Sequence, residues 1–210
     1  MQNPWLEIPL EDLEGHMSLP AVDQTRLVAD GLKEALRTHR PGSVAVVGCA
    51  GGKGLENIDP RVTRRVVAID INPSYVAAVR ERFGGTLPML ETYVADVQAT
   101  ELPIEPVELV YAALVLEFVD VAQAFDRLAA ICAPGGVLVT VTQRPSAAIA
   151  AITPSPFASM QSLASLFRFV SRDTLSDAAA RTSLILVSEN EVASSSGKRF
   201  AVCTFRQPGD

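Results

Sequence analysis

Four apolar residues, Val44–Val47, run straight into a glycine-rich stretch, so that the chain reads VAVVGCAGGKG from Val44 to Gly54. A run that is apolar at every position, rather than at alternate ones, describes a strand buried on both faces. The glycines after it let the main chain take positive φ and let a bound molecule approach the backbone. A helix starting near Lys53 or Gly54 would point its free N–H groups at that molecule. The stretch therefore commits the chain to a buried strand ending in a binding turn.

The remainder repeats the pattern. Residues 1–17 read as an irregular arm, and Ser18-Leu-Pro20 reads as the start of a helix that Pro41-Gly42 ends. A second strand, Arg65–Ile69, ends at Asp70, and Asn72-Pro73 opens a helix through Phe83. A third, Glu91–Ala95, ends at Asp96, and a fourth spans Glu108–Ala113. Asp120 caps the next helix, and Pro134-Gly135-Gly136 leads into Val137–Val141. Residues 144–170 predict a broken helical segment. Ser171 caps a further helix, and Leu184–Ser188 and Arg199–Phe205 read as a closing strand pair. The expected fold is α/β: a three-layer sandwich around a Rossmann-like, doubly wound, mostly parallel seven-stranded sheet with an antiparallel C-terminal strand. One domain, 1–210, is expected. Its parts are an arm and helix (1–40), a binding core (41–142), a lid (143–182) and the strand pair (183–210).

Bulk properties narrow the function. A net charge of −6 over 210 residues, with a pI near 5.0, argues against nucleic acid or an anionic membrane as the main partner. Cys49, Cys132 and Cys203 cannot all pair and lack metal-ligand spacing, which predicts core cysteines in a reducing cytoplasm and no metal site. The N-terminus reads as no secretory signal, and no apolar stretch of about 20 residues predicts a membrane span.

Ligands of open α/β sheets sit beyond the carboxyl ends of the strands. Asp70 falls at such an end, 18 residues after Gly52, where a carboxylate accepts hydrogen bonds from both hydroxyls of an adenosine ribose. Asp96 ends the third strand, placed for an adenine amino group, with the Val97 N–H beside it. A dinucleotide fingerprint fails on Ala50 and Lys53 when counted from Gly48, and on Asn57 when counted from Gly52. A P-loop fails because Gly54 follows Lys53 and Val47 stands at the first glycine position.

The series VAVVGCAGG, VVAIDINP, VADV, VELVYAALVLEFVD and APGGVLVTV resembles the class I S-adenosylmethionine-dependent methyltransferases over residues 42–142, and more weakly over 184–206. The resemblance implies that Gly48, Cys49, Ala50 and Gly52 cradle the methionine part of S-adenosylmethionine. It puts Asp70 on the ribose, Ile71 on the adenine face, Asp96 and Val97 on the adenine edge, and Ala113 or Leu114 near the methyl donor. Two departures stand out: Val46 where the family often has an acid, and Ala50 where it often has a second glycine. The methionine amino group then needs another partner, the Ala112–Leu114 carbonyls or Glu14. No Asn/Asp-Pro-Pro-Tyr/Phe follows the fourth strand; ALVLEFVD stands there, as in members acting on small molecules. The expected activity is methyl transfer to a small-molecule acceptor, by a monomer or a homodimer. Glu117 and His16 are the candidate bases, against plainer roles as an ion-pair or helix-start acid and as a surface or capping histidine. The rival readings are a non-catalytic S-adenosylmethionine-binding protein and, disfavoured by the failed fingerprint, a nucleotide-dependent oxidoreductase.

Overall fold

The computed structural model describes residues 3–87, 89–99, 101–147 and 149–209. Seven strands form one sheet: β1 (Ser43–Val47), β2 (Arg65–Asp70), β3 (Leu90–Val94), β4 (Val107–Ala113), β5 (Cys132–Gln143), β6 (Ile185–Ala193) and β7 (Arg199–Arg206). Their order is β3-β2-β1-β4-β5-β7-β6. β1 to β5 are parallel, and β7 pairs antiparallel with both β5 and β6. The winding direction reverses between β1 and β4, so a crevice opens at their carboxyl ends.

The unbroken apolar strands serve two cores at once, because successive side chains point to opposite faces. Val44 and Val46 join one cluster with Leu32 and Ala35 of α2 (Gln24–His39) and Val79 of α3 (Pro73–Phe83). Ala45 and Val47 join the other, with Phe125 and Leu128 of α4 (Val121–Ala130) and Leu175 of α5 (Arg172–Ala180). The side-chain caps expected at Asp120 and Ser171 are both present, and Asn72, expected to open α3, caps it with its side chain.

Two expectations fail. The arm is not irregular: a 3-10 turn at Pro4–Leu6 is followed by α1 (Leu10–Ser18), and α2 begins at Gln24 instead of Ser18. Glu11 and Asp12 suit the first turn of α1, and buried Leu13 and His16 lie three residues apart on one face. Gly15, which reads as a breaker, is what admits the Phe157 ring; a Cβ there would lie 2.3 Å from it. Asp23, at φ 47°, then separates the two helices. The second failure is the helix after the glycine turn. Only a single 3-10 turn, Leu55–Asn57, follows Gly54, whose φ of 101° breaks helical continuity. A turn this short supplies no helix N-terminus, so any ligand there meets loop amides alone.

The arm is tied down where it crosses the sheet. The Asn72 side-chain amide donates to the Trp5 carbonyl at 2.9 Å, and the Tyr75 hydroxyl donates to the Ile8 carbonyl at 2.9 Å. Met160 and Leu163, from a 3-10 segment at Ala158–Ser165, pack with Leu13, Ile8 and Tyr75. Both peripheral segments thereby close over the carboxyl end of the sheet. No helix among the described residues is long and apolar enough to cross a membrane.

Candidate functional site

A cavity of about 670 Å³ lies over the carboxyl ends of β1, β2 and β4. Gly48, Cys49, Ala50, Gly52, Asp70, Ile71, Asp96, Val97, Ala113, Leu114, Glu117 and His16, the twelve residues named in the sequence as cofactor contacts or bases, line it, as does Glu14; Ala112 does not.

The loop after β1 is built by close packing. Gly48 (φ 68°) and Gly52 (φ 83°) lie in the left-handed region. A Cβ on Gly48 would come within 2.3 Å of Val115 Cγ2, and one on Gly52 within 2.7 Å of the Phe83 ring. Gly48→Ala is therefore expected to lower stability by about 1–3 kcal/mol, through left-handed strain and overpacking, read as a fall in the urea midpoint. Ala50 takes φ 45° with a side chain, and its N–H donates to Asp70 Oδ2 at 2.9 Å. The Asn72 N–H donates to Asp70 Oδ1 at 3.0 Å. Asp70 thus ties the loop to the end of β2. Burial drives its carboxyl up to about 6, against the pull of the Asn72, Ala50 and Ile71 amides. A carboxylate offers about four acceptor positions, so the two hydrogen bonds from Ala50 and Asn72 leave acceptor capacity on a group that lines the cavity. That capacity fits the vicinal hydroxyls of a ribose.

Asp96 is half-buried beyond β3 and accepts the Gln98 N–H at 3.1 Å; Val97 is buried beside it. Cys49 is buried in the loop, where desolvation and then the Asp70 charge raise its thiol well above its ordinary range, which suits a filler and not a nucleophile. Glu14 is gripped by both Arg82 guanidinium nitrogens, and Arg82 also donates to the Gly51 carbonyl at 3.0 Å. The carboxylate proposed for a free amino group therefore already has a cationic partner. Leu114 occupies φ 58° while its N–H donates to the Val141 carbonyl at 2.8 Å. Such strain in a residue with a side chain costs about 1–3 kcal/mol and concentrates at functional sites.

The same cavity is lined by buried polar groups and by an aromatic cluster. Glu117 is 1% exposed; its Oε1 accepts the Gln143 N–H at 2.6 Å and its Oε2 has no hydrogen-bond partner. Burial raises its carboxyl to about 7, opposed by the Gln143 amide. Gln24 Nε2 donates to Gln143 Oε1 at 3.4 Å, and Gln143 Nε2 donates to the Ala151 carbonyl at 3.2 Å. His16 is buried with Nδ1 2.9 Å from Ser155 Oγ, and burial followed by the Lys198 charge lowers its pKa. Trp5, Phe118 and Phe167 meet edge to face at 5.0 and 5.5 Å between ring centres.

Sequence reasoning missed Gln24, Gln143 and Lys198, which also line the cavity. Gln143 carried a signal, as a polar end to an apolar strand. Lys198 carried none, because it follows Ser194–Gly197, a stretch that reads as a solvated loop.

Residues 45–140 match the family model described as a methyltransferase domain. No curated protein matches the chain. Among solved structures, the N-methyltransferase NodS from Bradyrhizobium japonicum, in complex with S-adenosylhomocysteine, is similar at 18% identity. The match covers 99% of this chain and 100% of that one, with a TM-score of 0.69. A geranyl diphosphate C-methyltransferase from Streptomyces coelicolor is similar at 16% identity over 83% and 76% of the two chains, with a TM-score of 0.64. The [4+2]-cyclase SpnF shares the fold too, at 14% identity over 89% and 82%, with a TM-score of 0.66. Residues 45–140 thus match a methyltransferase domain, and the chain as a whole shares its fold with these solved structures.

Proposed function

We propose that the protein binds S-adenosylmethionine between the β1 loop and the ends of β2 and β3 and methylates a small-molecule acceptor held in the far part of the cavity. The observation that carries this is the pairing, in one cavity, of Asp70 with acceptor capacity to spare and Glu117 with an orphaned buried oxygen. Asp70 binds the ribose hydroxyls; Asp96 and Val97 meet the adenine edge; Gly48, Cys49, Ala50 and Gly52 border the methionine part; Ala113 and Leu114 flank the methyl group.

Bound there, S-adenosylmethionine supplies an electrophilic methyl group that needs alignment more than activation. Glu117 is the base. Its Oε2 takes the proton of an N–H or O–H acceptor, and a carboxyl near 7 is matched to neutral pH. The Gln143 N–H fixes the other oxygen and so orients the carboxylate. His16 lines the same cavity and stays neutral at pH 7, so it orients or relays through Ser155. Residues 143–182 act with α1 as the acceptor's cover, keeping water from the reacting centre.

Calorimetry with S-adenosylmethionine, S-adenosylhomocysteine and the nicotinamide dinucleotides tests the cofactor. Micromolar binding of the first two and none of the dinucleotides is expected. No binding of either sulfur compound at millimolar concentration would overturn the reading. Binding without turnover across acceptor panels would instead favour the non-catalytic alternative, which Ala50 and Val46 allow.

A further inference from the structure

Lys198 is the only lysine or arginine buried among the described residues, at 2% exposed, and it lines the same cavity as Glu117. Its Nζ donates to the Ala151 carbonyl at 2.9 Å. No carboxylate lies within 4.0 Å of it among the described residues, where every other ion pair engages an arginine or Lys53. An ammonium carries three donors, and the described residues occupy one of them. A buried cation without an anion is costly and calls for a partner. The Ala151 carbonyl also accepts from Gln143 Nε2, and the Gln143 backbone N–H holds Glu117. A hydrogen-bonded chain therefore runs from the unsatisfied carboxylate to the unpaired ammonium along one side of the cavity. The cavity that both line is also walled by Trp5, Phe118, Phe167, Met160 and Leu163.

We propose that Lys198 is the anion-recognising residue of the acceptor pocket, and that the acceptor is a small carboxylic acid with an apolar body and an N–H or O–H nucleophile. The acid group meets Lys198 and the nucleophile meets Glu117 Oε2. This rests on the methyltransferase reading and names its substrate class. Lys198 acts here in binding; it takes no part in bond making. A lysine serving only to anchor its own loop would satisfy the Ala151 carbonyl equally well but would make no distinction between an acid and its amide.

Thermal-shift titration and calorimetry on the full chain, with and without S-adenosylhomocysteine, supply the test. The probes are 4-hydroxybenzoate, 4-aminobenzoate and 3-phenyllactate, each against its uncharged amide. The acids are expected to bind at least tenfold more tightly than the amides. Lys198→Met is expected to abolish that preference and keep the S-adenosylhomocysteine shift, while Lys198→Arg restores part of it. Equal binding of acids and amides by the wild type, no binding of either, or an undiminished preference in Lys198→Met overturns the proposal; the wild-type comparison suffices if Lys198→Met does not fold. Loss of the S-adenosylhomocysteine shift in the wild type would instead overturn the methyltransferase reading, and this proposal with it.

Discussion

Glu117→Gln is expected to lower the turnover number about 10²–10⁴-fold with any N–H or O–H acceptor the wild type uses, while leaving S-adenosylhomocysteine affinity unchanged and making the protein more stable at pH 8. The substitution keeps an oxygen to accept the Gln143 N–H and replaces only the oxygen that has no partner. What it removes is the capacity to take a proton. The stability gain follows from linkage. The ordinary Glu117 carboxyl, at 4.5, is raised to about 7 in the folded chain, so between those values the folded state holds a proton that the unfolded state has released. Wild-type stability therefore falls as pH rises from 4.5 to 7 and stays lowered above that. At 1.36 kcal/mol per unit the burden at pH 8 is about 3 kcal/mol, and it vanishes below pH 4.5. Urea unfolding of both proteins at pH 4.5 and pH 8 measures the difference. The wild-type turnover number should climb about tenfold per unit up to pH 7 and level off; the variant's residual rate should be flat. Full activity in Glu117→Gln would remove the base role. Equal stability at pH 8 would show that the carboxylate is not held charged at a cost.

The division between what the sequence made legible and what it did not follows how each feature is encoded. The sheet was legible because a doubly buried strand must be apolar at every position, and Val44–Val47, Val66–Ile69 and Val107–Ala113 are nearly so. The turn and cap residues sat where local chemistry puts them, which is why Asn72-Pro73 opens α3 and Asp120 opens α4. Strand ends then located the cofactor side of the cavity, since Asp70 and Asp96 need only follow a strand to be at its mouth. The acceptor side obeys no such rule. Lys198 reaches the cavity from the β6–β7 connection and Gln24 from the first turn of α2, and they meet Gln143 or Ala151 only through tertiary packing. The arm hid its helix because glycine is disfavoured inside helices, whereas at Gly15 the Phe157 ring requires the missing Cβ.

Asp70→Ala is expected to weaken S-adenosylhomocysteine binding at least tenfold at pH 8, or ~1.4 kcal/mol, because hydrogen bonds from hydroxyls to a buried carboxylate contribute about 1.5–3 kcal/mol each. The carboxylate also accepts the Ala50 and Asn72 amides, so alanine removes a loop anchor together with a ligand contact. Asp70→Asn separates the two effects: it keeps one oxygen for an amide and gives up the charge. An intermediate loss is expected from it. The pH dependence is more diagnostic. Burial raises Asp70 to about 6 in the free protein, and acceptance of two hydroxyls favours its charged form. Wild-type affinity should therefore fall as pH drops through 6, approaching tenfold per unit, while Asp70→Asn stays level. Unfolding does not mimic this result through Asp70 itself. Its folded pKa lies above the ordinary 3.8, so its own linkage makes the free protein more stable, not less, as pH falls from 6 to 3.8. Lost affinity in that window, measured beside an unchanged or higher unfolding midpoint, then belongs to the ligand contact. A wild-type affinity that stays constant from pH 8 to pH 5 would take the ribose off Asp70 and leave the carboxylate only the loop to hold.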